Sequence, residues 1–469
     1  MNTHHRFGVF ITDGPQNWQV LQQENGYADI HLEGIWGFGD DQEPTQEQKD
    51  TARVYVRLFS EKDNIPVLTA CLADNTENCG WSCTLKNVPA GGPYRIETLL
   101  QTGSDKFLYE WSTHGDMIHH LCVGDVYVIL GQSNAAGYGK DPIDDGPEFG
   151  IHMLRQNGNW DIASHPLHDS TNTIFPHNQD GANTGHSPYL AFAKKLKRKN
   201  NMPVGLIMAS KGGAPIDHFD PEGTGHIYRN MLDMVNYQGG KIKAIIWCQG
   251  CSDTNAVASV TYGEKLERII NASRKDLHNE NLPWFIVQIG RFGDYVPEEA
   301  WKYWGLVREH QRAISHKLPY VTTISSIDST TSDAIHTNAF SNISMGERIA
   351  SAVLNKLYNM ETERLCPDVI HVGISEDKKH VVITFNNVIE NLCGVHNQCI
   401  PVSVFKPDGT EMEIADWNGT LDKINIFLKE PAPEGSTVAG LWQAVPDFKP
   451  PFDSGTRLPI LAFYGLKIK

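Results

Sequence analysis

The stretch VYVILGQSNAAGYG, from Val126 to Gly139, decides the predicted fold of this chain. An apolar, β-branched run stops at Gly131, and the polar triplet Gln132-Ser133-Asn134 follows before the sequence turns to small residues. A short apolar run that ends at a glycine is typical of a buried β-strand. The sequence therefore predicts a strand that delivers a serine, between two amides, to the edge of a sheet.

Downstream of this stretch, apolar runs alternate with segments of helical periodicity. The apolar runs are VGLIMAS, KAIIWCQ, WFIVQIG and VTTISSI, and the helical segments are SPYLAFAKKLKRK, YGEKLERIINASRKDL, KYWGLVREHQRAI and SNISMGERIASAVLNKLYN. Continuously apolar strands joined by helical crossovers indicate a parallel sheet covered on both faces. We predict an α/β domain over residues 121–360.

The two flanks of this domain have the alternating pattern of β-strands instead. Residues 1–120 contain ARVYVRLFS and VPAGGPYRIETLL, with no strong helical pattern, and predict an N-terminal β-sandwich-like domain. Residues 365–469 contain HVVITFNNV, KINIFLKE and the hairpin signal KPDGTEMEI, and predict a C-terminal β-rich domain. The expected organisation is three domains.

Composition limits the classes of partner. The 469 residues exceed what one core accommodates, and the formal net charge of -16 disfavours binding to nucleic acid and to anionic membranes. No apolar run approaches the roughly 20 residues needed to span a bilayer. The N-terminal sequence MNTHHRFGVFITDG lacks a signal-peptide pattern, which predicts a cytoplasmic protein, or a secreted or periplasmic one from which a signal has been removed.

The nine cysteines are scattered, at positions 71, 79, 83, 122, 248, 251, 366, 393 and 399, which favours reduced thiols. Cys248 and Cys251 have the C-x-x-C spacing of a redox or metal protein. A zinc site would need further ligands nearby, and a thioredoxin-like motif would open a helix, whereas Cys248 lies at a predicted strand end. This hypothesis is the weakest of those the sequence supports.

Reactive side chains collect after four of the predicted strands, and ligands of parallel α/β sheets bind beyond such strand ends. The four positions carry a hydroxyl, a pair of glycine amides, a carboxamide, and a carboxylate with an imidazole: Ser133; Gly212 and Gly213; Gln249; Asp333 and His336. These groups are the parts of a serine hydrolase, namely nucleophile, oxyanion donors, base and orienting acid.

Each of these residues also has a purely structural interpretation, as a helix cap, a tight turn or a loop amide. The combination favours catalysis, because all of them follow strands and one cleft can use them together. Asp333 and His336 lie on one short loop, so the carboxylate can reach one ring nitrogen while the other faces Ser133. The G-x-S-x-G elbow of α/β-hydrolases is not present.

Four blocks in order, GQSNAAG, SKGGAPI, WCQGCSD and DAIH, resemble those of the SGNH (GDSL-like) hydrolase superfamily, and specifically its sialate O-acetylesterase-like carbohydrate esterases. The resemblance extends over about residues 120–355. It implies a three-layer, flavodoxin-like α/β hydrolase domain with a parallel sheet, flanked here by small β domains.

The resemblance also assigns roles. Ser133 would be the nucleophile, His336 the base and Asp333 its orienting acid. The oxyanion hole would consist of the Ser133 amide, a glycine amide at Gly212 or Gly213, and the Gln249 side chain. We further expect Gln132, Asn134 and Lys211 to contact substrate, although a solvated surface lysine is an equally good interpretation of Lys211.

The function these roles imply is a serine esterase that removes O-acetyl groups from a carbohydrate, with sialic acid as the first candidate, through an acyl-enzyme intermediate. None of the roles needs a cofactor or a metal. Two departures from the family pattern are Cys251, where the family has Glu, and Thr337, where it often has Pro. The alternatives are an acetylxylan-type esterase and a catalytically inactive carbohydrate-binding protein, the latter suggested by Cys251.

Overall fold

The computed structural model describes residues 7–38, 43–102, 113–181, 184–394, 400–446 and 450–469. These residues form two compact units. The first contains the described residues up to Val126, together with Pro147–Ala163 and Lys197–Ile207, and the second contains the remainder. Residues 1–6, part of the N-terminal sequence used to predict localisation, lie outside the described residues, as does Cys399.

Helices and strands are numbered in chain order. The helices are α1 (Gln46–Thr51), α2 (Ser133–Ala136), α3 (Tyr189–Asn200), α4 (His226–Tyr237), α5 (Ala258–Asp276), α6 (Glu298–Lys317) and α7 (Ala339–Tyr358). The strands up to the end of the predicted N-terminal domain are β1 (Phe7–Asp13), β2 (Val20–Gln22), β3 (Tyr27–Phe38), β4 (Arg53–Ser60), β5 (Ile65–Pro66), β6 (Cys71–Leu72), β7 (Asp74–Asn75), β8 (Gly80–Pro89) and β9 (Gly91–Gln101). The central strands are β10 (Thr113–Gly131), β11 (Ile151–Leu154), β12 (Trp160–Ile162), β13 (Val204–Ser210), β14 (Ala244–Cys248), β15 (Trp284–Val287) and β16 (Val321–Ile324). The C-terminal strands are β17 (Asp368–Ile374), β18 (His380–Asn386), β19 (Leu392–Cys393), β20 (Val402–Phe405), β21 (Ile414–Thr420), β22 (Lys423–Leu428), β23 (Thr437–Gly440), β24 (Phe452–Asp453) and β25 (Phe463–Lys467).

The first unit is built mainly of antiparallel strands. One sheet has the order β1-β3-β8-β7, and β4 pairs with β9, which pairs in turn with the early part of β10. Every second side chain of β4 is buried, as the alternation in ARVYVRLFS predicts. The short helix α1 was not predicted; it is held by a capping box in which Thr45 and Gln48 exchange side-chain to backbone hydrogen bonds.

The second unit contains the parallel strands that carry the candidate site. The end of β10 pairs with β14, β14 with β15, and β15 with β16, all in parallel. Nearly all residues of these segments are buried, because helices accompany the strands, and this burial explains why their sequences are continuously apolar. The predicted α/β class is confirmed, while α4, β11 and β12 were not predicted.

The C-terminal strands form small antiparallel sheets, of which the largest has the order β17-β18-β22-β21. The predicted turn at KPDG is present: the amide of Gly409 donates to the Lys406 carbonyl, and the Lys406 amide to that of Thr410. These strands belong to the same compact unit as the parallel strands β14–β16. The domain boundaries near residues 120 and 360–365 stay predictions. Within the described residues, no helix has the length and apolar character to cross a membrane.

Candidate active site

The predicted nucleophile lies where β10 ends against β14. A Cβ on Gly131 would lie 2.1 Å from the Cys248 carbonyl oxygen, so only glycine permits this approach of the two strands. The chain then turns into α2, which begins at Ser133, a residue only 5% exposed. Among the described residues, neither the backbone N–H nor the hydroxyl of Ser133 has a hydrogen-bond partner. Both groups are therefore available to a substrate.

The carboxylate and imidazole of the DAIH block are paired. Nδ1 of His336 lies 2.8 Å from Oδ2 of Asp333, and Oδ1 of Asp333 accepts the N–H groups of Ile335 (2.9 Å) and His336 (2.8 Å). Burial opposes ionisation of Asp333, but these hydrogen bonds outweigh it and lower the pKa of the carboxyl to about 2. An ionised Asp333 accepts a hydrogen bond from the Nδ1–H group of His336, which leaves Nε2 as the basic nitrogen.

Asn134 connects the serine to the histidine loop. Its Nδ2 donates to the Ile335 carbonyl at 3.1 Å, and its Oδ1 accepts the Thr337 amide at 3.1 Å. Both ends of the amide are thus bound to the residues on either side of His336. The sequence predicts substrate binding for Asn134, whereas these contacts support a positioning role.

Tyr138 and Asp180 complete this side of the site, and neither was predicted from the sequence. The Tyr138 ring stacks on His336, with centroids 4.8 Å apart and planes at 21°. Burial, together with a hydrogen bond to Asp180, raises the pKa of the Tyr138 phenol. Asp180 also accepts the Gly212 amide at 2.8 Å. The Gly212 N–H, one of the two predicted glycine donors, is therefore occupied in this structure.

The second glycine of the pair has a free amide. Gly213 has φ +68°, is exposed, and would have nothing within 4 Å of an added Cβ. In the described part of the chain its N–H has no acceptor, while its carbonyl accepts from Ser252 Oγ at 3.1 Å. Of the two glycines, only Gly213 has an N–H that is unoccupied among the described residues, and the oxyanion role of the pair stays a prediction. Lys211 Nζ donates to the Gln179 carbonyl at 2.8 Å.

Gln249 is buried and cross-links the loops behind the site. Its Nε2 donates to the Ala214 carbonyl at 3.0 Å and to the Asp253 carboxylate at 2.5 Å, which occupies both of its hydrogens. Burial raises the pKa of Asp253, against the Gln249 and Ile216 hydrogen bonds. The oxyanion role predicted for Gln249 stays a prediction, and it would require one of these hydrogen bonds to be exchanged.

Gln132, predicted to contact substrate, holds the same loop from the other side. Its Oε1 accepts the amides of Gly250 (3.0 Å) and Ser252 (3.4 Å). The backbone N–H of Gln132 donates to the Cys248 carbonyl. These contacts fix the third block against the segment that carries the serine.

Replacing Gln249 with Ala is expected to lower kcat by about 10²-fold with a smaller change in KM. The substitution removes the hydrogen bonds by which Gln249 joins the Ala214 carbonyl to the Asp253 carboxylate. The effect falls mainly on kcat because an oxyanion hole stabilises the transition state more than the bound substrate. Steady-state kinetics with a soluble acetyl ester measure the effect. Cys251→Ser is the matched control and should keep most activity. Full activity of Gln249→Ala, with activity switched by thiol oxidation, would contradict this assignment.

The two thiols of the C-x-x-C pair do not have the lowered pKa that is typical of redox-active cysteines. Burial raises the pKa of Cys248 and of Cys251 to about 12, so both are protonated at neutral pH. All eight cysteines in the described residues are free thiols. Cys251 lies within electrostatic reach of the fully buried Arg308, whose pKa burial lowers to about 9. A Glu at position 251 would face this guanidinium.

One group of side chains that was not predicted from the sequence has the arrangement of metal ligands. Asp145 Oδ2 lies 3.0 Å from His165 Nε2 and 3.1 Å from His186 Nε2, while Lys194 Nζ binds Oδ1 at 2.6 Å. Burial opposes ionisation of Asp145, but the histidines and the lysine outweigh it and lower its pKa. The ion pair with Lys194 already compensates this carboxylate. None of these residues belongs to the predicted triad.

Some of the missed residues carried a usable signal. Tyr138 is five residues beyond Ser133 in the same quoted block, and Asp253 ends the WCQGCSD block. Asp180 lies in a polar loop without any distinguishing pattern, so its contact with Gly212 is visible only in three dimensions.

Comparison with known proteins relates about half of the chain to a family. Residues 123–355 match the family described as "Carbohydrate esterase, sialic acid-specific acetylesterase". A probable carbohydrate esterase of Arabidopsis thaliana is 28% identical over 253 residues, which cover 49% of this chain and 90% of that protein. The solved structure of a carbohydrate acetylesterase from Xanthomonas citri is 19% identical, with a TM-score of 0.66, over 97% of this chain and 99% of that one. This last similarity concerns the fold.

Proposed function

Because residues 123–355 of this chain belong to the carbohydrate esterase family of sialic acid-specific acetylesterases, we propose that the protein is a serine esterase that removes acetyl groups from the hydroxyls of a carbohydrate. The observation that carries this proposal is the pairing of Asp333 with Nδ1 of His336. Asn134, the residue after Ser133, is hydrogen-bonded to the loop that carries both side chains. This arrangement supplies an oriented imidazole that can act as the base, on a loop bound to the residue after Ser133.

In the proposed reaction, Ser133 Oγ attacks the acetyl carbonyl and its proton passes to Nε2 of His336. Asp333 stabilises the imidazolium, and the amides of Ser133 and Gly213 donate to the oxyanion. Collapse of the tetrahedral intermediate breaks the ester bond, and His336 returns the proton to the sugar oxygen. Water then attacks the acetyl-serine with His336 again as base, releasing acetate and restoring Ser133.

Acetate release from a panel of esters tests the proposal. The panel consists of O-acetylated sialic acid, the sugar predicted from the sequence; O-acetylated xylo-oligosaccharides; mono-O-acetylated methyl glucopyranoside; and 4-nitrophenyl acetate, which has no sugar. The proposal expects release from at least one sugar ester by the wild type and none by Ser133→Ala. Binding of sugars without any release would instead support the carbohydrate-binding protein, and hydrolysis of 4-nitrophenyl acetate alone would remove the carbohydrate from the proposal.

Dialysis against EDTA is expected to leave the rate of acetate release unchanged, because each assigned role belongs to a side chain or a backbone amide. The measurement is the initial rate before and after dialysis, with a zinc-supplemented sample in parallel. Loss of activity that zinc restores would favour a metal esterase over this mechanism.

A further inference from the structure

We propose that a cleft beside the catalytic loop holds the sugar that bears the acetyl ester, and that it favours uncharged over anionic sugars. The cleft, here named the Tyr295 cleft, has a volume of about 710 Å³ and is lined by Gly293, Asp294, Tyr295, Val296, Glu298, Glu299, Trp301 and Val445. This inference rests on the proposed function and specifies the substrate of that same site.

One residue that lines the Tyr295 cleft, Gly293, contacts the loop that carries the base. The Gly293 amide donates to the Ala334 carbonyl at 2.5 Å, and a Cβ on Gly293 would lie 3.3 Å from the carbonyl oxygens of both Asp333 and Ala334. The segment that opens the cleft is thus packed directly on the backbone between Asp333 and His336. Glycine permits this approach.

The two walls of the cleft are fixed to one another. The Phe292 amide donates to the Ala444 carbonyl at 2.8 Å. Arg308, fully buried, donates to the Gly290 carbonyl at 2.5 Å and to the Gln443 carbonyl at 2.6 Å. These bonds hold the residues that precede Gly293 and Val445, so the cleft is largely formed before a ligand binds, as small-molecule sites usually are.

The chemistry of ester hydrolysis places the sugar on this side. The sugar oxygen is the leaving group, and it must receive its proton from His336, so it departs next to the histidine loop. The carbonyl oxygen faces the amides of Ser133 and Gly213 instead. A sugar attached to the leaving oxygen therefore extends along the histidine loop, where the Tyr295 cleft begins.

The lining has the two kinds of group that sugars require. Tyr295 is 83% exposed, and the phenol hydroxyl has no hydrogen bond to any described residue. Trp301 donates its indole N–H to the Val296 carbonyl at 3.0 Å, which fixes the ring in the wall. Aromatic faces pack on the apolar C–H faces of a pyranose, while carboxylates accept from its hydroxyls. Asp294, Glu298 and Glu299 supply those acceptors.

The charge of the lining gives the predicted selectivity. Three lining residues are acidic and none is basic. Glu298 and Glu299 also lie in the first turn of α6, where they complement the helix dipole. A bound sugar carboxylate would be repelled by three exposed carboxylates about 6 Å away, in water and with salt screening. This repulsion corresponds to a preference for the neutral over the anionic sugar on the order of tenfold in kcat/KM.

The test compares two sugars that differ in one carboxylate: mono-O-acetylated methyl glucopyranoside and mono-O-acetylated methyl glucopyranosiduronate, each as the mixture of positional isomers. We expect the wild type to hydrolyse the neutral ester with about tenfold higher kcat/KM. Tyr295→Ala should raise KM for the neutral ester about tenfold, with a much smaller effect on the rate with 4-nitrophenyl acetate, which has no sugar. The double variant Glu298→Gln/Glu299→Gln should reduce the preference for the neutral ester.

Tyr27→Ala, at another exposed tyrosine (51% exposed), is the matched control. It should leave the kinetics with both the sugar ester and 4-nitrophenyl acetate unchanged. Unaltered KM for the sugar in Tyr295→Ala, equal losses on both the sugar and 4-nitrophenyl acetate, or a preference for the uronate or for acetylated sialic acid would each overturn the inference. In those cases the wild type still hydrolyses sugar esters, so the proposed function stands. If the wild type hydrolyses no sugar ester at all, the proposed function itself fails.

Discussion

Ser133→Ala is expected to abolish acetate release, with a fall in kcat on the order of 10⁴-fold or more and no change in the folded state. The hydroxyl is the only atom that forms the covalent intermediate, and the side chain makes no hydrogen bond to the described residues that folding would lose. The measurement is kcat on the best sugar ester, together with the circular dichroism spectrum and the melting temperature of the variant.

His336→Ala should lower kcat to a similar extent. The double variant Ser133→Ala/His336→Ala should lose no more activity than either single variant, because the two residues act as one unit. Retention of a tenth of wild-type activity by a clean preparation of Ser133→Ala would remove the nucleophile assignment. Additive losses in the double variant would show that the serine and the histidine act in separate steps.

Asp333→Asn is expected to lower kcat by about 10⁴-fold while KM stays within a few-fold of the wild type. An amide at this position still hydrogen-bonds to Nδ1 of His336, but its Nδ2 favours the ring tautomer with the proton on Nε2, which cannot accept the Ser133 proton. The folded state should survive, because the amide oxygen can still accept from the N–H groups of Ile335 and His336.

The pH profile of the wild type separates the acid from the base of this pair. With the pKa of Asp333 at about 2, its carboxyl is ionised above about pH 3, so protonation of Asp333 lowers the rate only near pH 2. An acid limb in kcat at higher pH, in the range around 6.5 where imidazoles ordinarily titrate, therefore reports a histidine base. A profile that stays flat from pH 8 down to pH 4 would contradict a histidine base.

The parallel strands were predictable because burial on both faces makes their sequences continuously apolar. The runs ending at Gly131 and Cys248 became neighbouring strands, and the antiparallel β4 showed its one buried face as alternation. Strands β11 and β12 have the sequences IHML and WDI, in which a polar residue interrupts the apolar run, so neither carries the continuous apolar pattern. Helix α1 exists because of its cap at Thr45, and its residues carry no apolar stripe.

The pair Asp333 and His336 was predictable because both residues lie on one short loop, whereas their surroundings depend on contacts between distant parts of the chain. Asp180 reaches the Gly212 amide from another loop, and no local pattern encodes that contact. Side-chain amides were the hardest to interpret. Gln132 and Asn134 flank the serine like substrate ligands in the sequence, yet in three dimensions each binds backbone of another segment.

The contacts of Asn134 also bear on when the site forms during folding. Its partners Ile335 and Thr337 are about 200 positions further along the chain, so the serine and the histidine cannot be aligned until nearly the whole α/β domain has been synthesised and packed. A ribosome-bound chain that ends before residue 333 would carry the nucleophile without its base. The Thr337 amide hydrogen, which is donated to Asn134, should become protected from exchange with solvent only at this last step. Its protection during refolding would therefore mark the moment at which the segment after Ser133 binds the loop of His336.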